Sequence, residues 1–313
     1  MTTPGRPWRA DAIEVVTLDG VALLADGLDF PEGPVAMADG GVIVTEIDSA
    51  RITRIGPDGA VDVVARCDGG PNGAAIGPDG ALYVCNNGGR YASGTYQGGW
   101  VDRVDIGTGA IERLYTEYQG RRLSGPNDLV FDEAGGFWFS DLGKTRGRER
   151  DVGSIYYAGI DGDSLVEAIH PAEMPNGIGL SPDGGTVYYA ETGTARLRAR
   201  RVTGPGTVAP LEGHGSASVL AGLPGHQGFD SLAVDSQGNV CVAMLVTGGV
   251  TVIAPDGDSV VRYVLGPEFH DDMTTNICFG GPDLTTAYIT LGHTGRVVTV
   301  RWPVPGLRLA YNA

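Results

Sequence analysis

Short apolar runs, each broken by a turn rich in glycine, aspartate or proline, recur along the whole chain, and none continues at helical spacing. The segment nearest to an amphipathic helix, SLVEAIHPAEM (164–174), is interrupted by Pro171, which cannot donate inside a helix. Six segments share one pattern: EGPVAMADGGVIVTE (32–46), NGAAIGPDGALYVCN (72–86), NDLVFDEAGGFWFSD (127–141), NGIGLSPDGGTVYYA (176–190), DSLAVDSQGNVCVAM (230–244) and NICFGGPDLTTAYIT (276–290). Each reads as a polar residue, a short apolar strand, a tight turn and a second apolar strand. In five of them a glycine stands eight residues after the leading polar residue: Gly40, Gly80, Gly135, Gly184 and Gly238. The sixth has Leu284 there, so a different turn is expected. The starts lie 40 to 55 residues apart, the scale of one four-stranded propeller blade. Intervening pieces such as ARITRIGP, WVDRVDI, GSIYYAGI, ARLRARRV and GVTVIAP supply the outer strands. The pattern predicts an all-β, six-bladed β-propeller over residues 25–313, preceded by a segment, 1–24, that leads into it. A pair of β-sandwiches is the alternative, but sandwiches do not require a six-fold sequence repeat.

Composition narrows the function. The chain has 313 residues, 42% of them hydrophobic, and 51 glycines, which suits many turns between short strands. A net charge of −16 and the lack of a basic stripe exclude a reader of nucleic-acid backbone. The densest basic run, RGRER (146–150), reads as a solvated loop. No apolar run approaches the ~20 residues of a membrane helix. The N-terminal MTTPGRPWRA lacks the apolar core of a secretory signal. Cys67, Cys85, Cys241 and Cys278 have no metal-ligand spacing and read as buried free thiols. A cytoplasmic setting fits these last two features.

The leading residues of the repeats are Glu32, Asn72, Asn127, Asn176, Asp230 and Asn276. Equivalent positions of successive blades are related by rotation about the propeller axis, so six carboxylates and carboxamides would converge on the central tunnel. Turn geometry alone favours Asn and Asp, but it does not favour Glu32. Oxygen ligands of this kind suit Ca²⁺, and with no His or Cys in the ring Zn²⁺ is a poorer match. Two carboxylates balance one divalent ion, and neutral amides extend the shell.

These segments, together with FPEGPV, GPNGAAIGPDGALYVCNNGG, GPNDLVFDEAGGFWFSDLGK and FDSLAVDSQGNVCVA, resemble the senescence-marker-protein/gluconolactonase family over about residues 25–305. That family includes drug-responsive lactonases and is related to diisopropylfluorophosphatase and the paraoxonases. The resemblance implies a six-bladed propeller with a catalytic divalent ion, commonly Ca²⁺, in the tunnel, with Mg²⁺, Mn²⁺ or Zn²⁺ as substitutes. Carried over by position, it implies Glu32, Asn127, Asn176 and Asp230 as metal ligands. Asn72 and Asn276 are placed behind them or facing substrate, and Asp128 and Ser231 beside them. It also implies hydrolysis of a small lactone, with Asp230 and then Glu32 as the carboxylate that activates water or attacks directly. A phosphotriesterase-like hydrolase on the same ion, or a non-enzymatic binding platform around a structural ion, are the alternatives.

Further residues are candidates by placement. His226 and His270 precede Asp230 and Asn276 and read as residues at the same tunnel mouth; His170, His214 and His293 have no such placement. The insert 86–100 could form a rim, with Tyr91, Tyr96 or Trp100 touching substrate, or simply an Ω-like surface loop. The insert 144–153 could bring Arg146 or Arg148 to an anionic substrate. No GxSxG elbow supports a serine nucleophile.

Overall fold

The computed structural model describes residues 13–89, 96–211 and 218–311, and within them the chain forms a six-bladed β-propeller. Blade 1 runs outward from the axis through Pro31–Ala36, Val42–Glu46, Arg51–Ile55 and Val61–Arg66. Blade 2 comprises Pro71–Ile76, Leu82–Asn86, Trp100–Val104 and Ile111–Tyr115, and blade 3 comprises Pro126–Phe131, Phe137–Asp141, Gly153–Ala158 and Leu165–Ala172. Blade 4 is built from Pro175–Leu180, Thr186–Glu191, Arg196–Gly204 and Val219–Gly222. Blade 5 is built from Gly228–Val234, Val240–Leu245, Val250–Ile253 and Val260–Val264. Blade 6 takes only its three inner strands, Thr274–Gly280, Thr286–Leu291 and Arg296–Arg301, from the end of the chain.

Its outer strand is Ala22–Ala25, paired antiparallel with Arg296–Arg301, so the two ends of the chain close the ring. Glu14–Thr17 adds a parallel strand to the edge of blade 5. The sequence boundary at residue 25 therefore moves earlier. A four-residue strand with no repeat partner leaves no periodic trace, and only ring closure reveals its place. The expected absence of an amphipathic helix over 164–174 agrees with the strand Leu165–Ala172. No helix among the described residues is long and apolar enough to cross a membrane.

The apolar core is divided among the interfaces between blades. Val42, Val44 and Tyr288 join blades 6 and 1, and Ile43, Ile76 and Val84 join blades 1 and 2. Tyr83, Phe131 and Phe139 join blades 2 and 3, and Trp138, Ile178 and Tyr189 join blades 3 and 4. Leu197, Leu232 and Val242 join blades 4 and 5, and Cys241, Ile277 and Ile289 join blades 5 and 6. A strand packed on both faces reads as a continuous apolar run, which is why LYVCN and FWFSD show no alternation. The cysteines are free thiols, with Cys85 and Cys241 buried and Cys67 and Cys278 partly so.

The repeated hairpin turn holds its eighth residue in the left-handed region, at φ between 66° and 87° for the five glycines. Leu284 adopts the same conformation, φ 56°, and its N–H bonds Gly281 O as the glycines bond their counterparts. The sixth turn thus keeps the geometry of the others, and the different turn expected from its sequence is not found. A left-handed leucine is uncommon, and here the C-terminal segment fixes it: Gly306 N–H bonds Leu284 O at 2.8 Å.

After Trp302 that segment crosses the face of the propeller opposite the repeat starts. Leu307 N–H bonds Val234 O at 3.0 Å, and the Tyr311 ring stands edge-on to Phe131, 5.8 Å between centroids. Leu307, Leu309 and Tyr311 thereby line one end of a cavity of about 130 Å³ that runs past Phe131, Leu232 and Phe279 to Asp128 and Asn276.

Around the axis the inner strands approach too closely for side chains at some positions. A Cβ on Gly73 would stand well inside 3 Å of Asp128 and of the Asn127 carbonyl. Gly73→Ala is therefore expected to cost about 3 kcal/mol of stability, read from the urea midpoint at unchanged m-value.

Candidate active site

Each inner strand is the free edge of its blade and carries a register shift at the repeat start. Pairing slips between Glu32 and Val35, Pro71 and Ala74, Pro126 and Leu129, Pro175 and Ile178, Phe229 and Leu232, and Thr274 and Asn276. A bulge releases residues from the ladder and re-aims their side chains, here at the same level in every blade. Four of the inner strands begin with proline, Pro31, Pro71, Pro126 and Pro175, tolerated at a strand's first residue. Hydroxyls from second strands fasten this level to the next blade: Thr45 Oγ1 donates to Asn72 O at 2.6 Å and Ser140 Oγ to Asn176 O at 2.5 Å.

Glu32, Asn72, Asn127, Asn176, Asp230 and Asn276 are all buried, none more than 7% exposed. Glu32 Oε2 accepts from Gly33 N–H and from Asn276 Nδ2, both at 2.9 Å. Asn276 Oδ1 is taken by Ile277 N–H at 2.8 Å, so Asn276 offers the ring its amide N–H and not its oxygen. Asn176 Nδ2 donates to Asp230 Oδ1 at 2.5 Å and to Thr192 Oγ1 at 3.1 Å. The Ser231 hydroxyl lies between Asn176 Oδ1, at 3.3 Å, and the Asp128 carboxyl. Asp128 Oδ1 also accepts Leu129 N–H at 2.9 Å. Asn72 Oδ1 and Asn127 Oδ1 are buried without any hydrogen-bond partner.

The electrostatics follow from three carboxylates gathered out of water. Burial pushes Glu32 up to about 7, against the opposing hydrogen bonds from Gly33 and Asn276. Burial, and then the charge of Glu32, push Asp128 up to about 8. Asp230 is raised well above the carboxylate range by burial and by Glu32 and Asp128 together.

Two orphaned amide oxygens and mutually repelling acids are costly in a protein interior, and a cation among them removes both costs. The donors are all oxygen, which fits a hard divalent ion. A half-turn of the Asn176 amide would present its oxygen in place of Nδ2. Among the described residues, a second acidic group, Asp271, Asp272 and His293, has ligand atoms within 4.8 Å of one another. Both Asp271 oxygens are engaged by Met273 and Thr294, and Asp272 Oδ1 meets His293 Nδ1 at 2.8 Å.

The structure brings Asp128 and Ser231 to the ring, and it leaves Asn72 with a free oxygen like that of Asn127. His226 and His270 are exposed on the loops before their strands. Tyr96 donates from its hydroxyl to Ser124 O at 2.7 Å, and Trp100 donates to Asp102 at 2.6 Å inside blade 2. Arg146 is held by Asp151 in a two-point pair at 2.6 and 2.8 Å within its own hairpin. Tyr91 and His214 lie outside the described residues. Sequence reasoning passed over Asp141 and Lys144. Asp141 accepts the N–H groups of Ser124, Gly125 and Gly143 and so shapes the approach to Asn127. Its place at the end of FWFSD, opposite the start of the repeat, was the available signal.

Six blades around an axial, oxygen-lined polar ring define the class, a six-bladed β-propeller with a polar site at the tunnel mouth. Within it, the chain belongs to the SMP-30/gluconolactonase/LRE-like family, whose model matches residues 30–293. It is 29% identical to the gluconolactonase of Zymomonas mobilis over 94% of this chain and 84% of that protein. It is 28% identical to the lactonase drp35 of Staphylococcus epidermidis over 84% of this chain and 74% of that protein. Among solved structures, the calcium-binding regucalcin of Agrobacterium tumefaciens superposes with a TM-score of 0.72 at 19% identity, covering 95% of this chain and all of that one.

Proposed function

We propose that this protein is a divalent-metal-dependent hydrolase that opens a small lactone, with Ca²⁺ as its ion. The observation that carries the reading is the buried ring, in which Glu32, Asp128 and Asp230 repel one another around amide oxygens that have no partner. Family membership and relatives named for lactone hydrolysis support it.

Glu32, Asn127, Asn176 and Asp230 would hold the ion, with Asn72 Oδ1 facing the same place. A divalent ion supplies Lewis-acid polarisation of an ester carbonyl when bound there. Asn276 holds the Glu32 carboxylate in position, and the Ser231 and Thr192 hydroxyls beside Asn176, each able to donate or accept, would hold its amide after the half-turn. Asp230 is the carboxylate that takes the proton of the attacking water, with Glu32 second in that role. The water oxygen forms a bond to the carbonyl carbon, the ring C–O bond breaks, and the leaving alkoxide receives the proton from Asp230. The product is the open hydroxy acid.

Metal-stripped protein is expected to lose at least ~100-fold in rate on a panel of aldonolactones and simpler lactones, and Ca²⁺ is expected to restore it best among Ca²⁺, Mg²⁺, Mn²⁺ and Zn²⁺. Full activity after chelation would refute the metal requirement. Silence on every lactone, with Ca²⁺ still raising Tm, would refute the hydrolase and leave a structural ion.

A further inference from the structure

Lys144 occupies an unusual place for a cation. It follows the strand Phe137–Asp141, and its backbone is clamped to Asp151, whose N–H bonds Lys144 O at 3.0 Å. Its side chain passes over Gly125, two residues before Asn127: Cε would lie 3.6 Å from a Cβ on that glycine. The ammonium then crosses to blade 2, where it donates to Gly89 O at 2.9 Å and approaches Asn87 Oδ1 at 3.4 Å. It stands 5.3 Å from the centre of the Tyr96 ring. Lys144 is thus largely buried between the loops of blades 2 and 3, above the start of the strand that carries Asn127.

Its charge is not met by an ion pair. Among the described residues no carboxylate forms an ion pair with Nζ within 4.0 Å. Asp141 acts on it only from beyond ion-pair distance, its oxygens being taken by three backbone N–H groups. Two other cations of the hairpin differ, Arg146 being paired with Asp151 and Arg150 with Glu173, while Arg148 is exposed to solvent. A largely buried ammonium whose acceptors are neutral is costly, and an anion beside it offsets that cost. Burial pulls Lys144 down to about 8, against the opposing charge of Asp141. In a chain of net charge −16 an anionic ligand is repelled at long range, so a local cation at the mouth is what would admit one.

We propose that Lys144 is a specificity-determining residue of this mouth, recognising a carboxylate or phosphate carried by the lactone at a distance from the ester that opens. This inference rests on the lactone-hydrolase reading. An ammonium accepts either group, and the experiment separates them.

The test compares Ca²⁺-loaded wild type, Lys144→Met and Lys144→Arg on three lactones: a neutral aldonolactone, one with a second carboxylate and one with a phosphate. In Lys144→Met, KM for the charged lactones is expected to rise at least ~10-fold with kcat within about twofold, and the neutral lactone to be affected far less. Lys144→Arg should retain most of the preference. The charged lactone that loses more identifies the natural group. An equal loss on all three lactones, marking Lys144 as a staple between loops, overturns the proposal, as does unchanged KM on the charged pair. If wild type opens none of the three, the hydrolase reading fails separately. The anion site is then read by calorimetric titration with glutarate and inorganic phosphate. Binding to wild type that Lys144→Met lacks supports the site, and no binding to wild type overturns it.

Discussion

Asp230→Asn is expected to lower kcat for lactone opening by at least ~10³-fold while raising the Tm of the metal-free protein. Both effects have one origin. The substitution is nearly isosteric, but it deletes an acid that ionises here only at a cost, and with it the proton acceptor nearest the ring's amides. In metal-free protein its ionisation is opposed by burial and by Glu32 and Asp128, so the native carboxyl holds a proton that the unfolded chain releases, with Asn176 Nδ2 as its one strong partner at 2.5 Å. An amide carries no such cost, and a gain of a kilocalorie or so corresponds to about 2–4 °C. With Ca²⁺ the sign reverses, because the ion loses a charged ligand and its stabilising increment shrinks. Calorimetric scans with chelator and with Ca²⁺, beside the lactone assay, check all three outcomes. A fully active variant removes Asp230 from the chemistry, and an undiminished Ca²⁺ increment removes it from the ion.

That Asp230 is singled out from sequence at all reflects how a propeller repeats. Every blade needs a left-handed residue in the same hairpin and a second strand buried on both faces, so glycine and apolar runs return at fixed offsets. The residue that starts each inner strand then sits at one level of one tunnel. The ring is legible because symmetry turns six distant positions into one. What breaks the symmetry is not legible. Ala22–Ala25 closes blade 6 without any repeat signature. Leu284 does a glycine's work because Gly306 holds it, a contact between segments that sequence pattern does not link. Lys144 meets Gly89 and Asn87 across two blades, more than fifty residues away. The ring's own division of labour also needs coordinates. Asn72, Asn127 and Asn276 are identical letters, yet only Asn276 has its oxygen consumed by its own strand.

In metal-free protein, stability should fall as pH rises from 5 to 8, and saturating Ca²⁺ should abolish or invert that trend. Glu32 goes from an ordinary 4.5 to about 7 and Asp128 from 3.8 to about 8, each chiefly through burial. Between these values the unfolded chain has released both protons and the native chain still holds them. Fewer protons on the unfolded state make the slope of unfolding free energy with pH negative. Each group contributes about 1.4 kcal/mol per pH unit across its window, so the two together remove several kcal/mol, levelling off above about pH 8. Asp230, raised in the same direction, adds to the fall. Glu46 and Asp79, paired with Arg51 and Arg103, are lowered instead. Their stabilisation is complete above the usual carboxylate range and is lost only in acid, so they do not mask the effect. An ion among the carboxylates stabilises their charged forms, so it binds more strongly as pH rises and the Ca²⁺-induced gain in Tm grows from pH 5 to 8. Thermal scans at unit pH steps, with chelator and with Ca²⁺, measure both curves. A metal-free Tm that is flat or rising over this range would mean that the ring's acids are ionised without an ion, and the electrostatic case for a cation at the axis would fall with it.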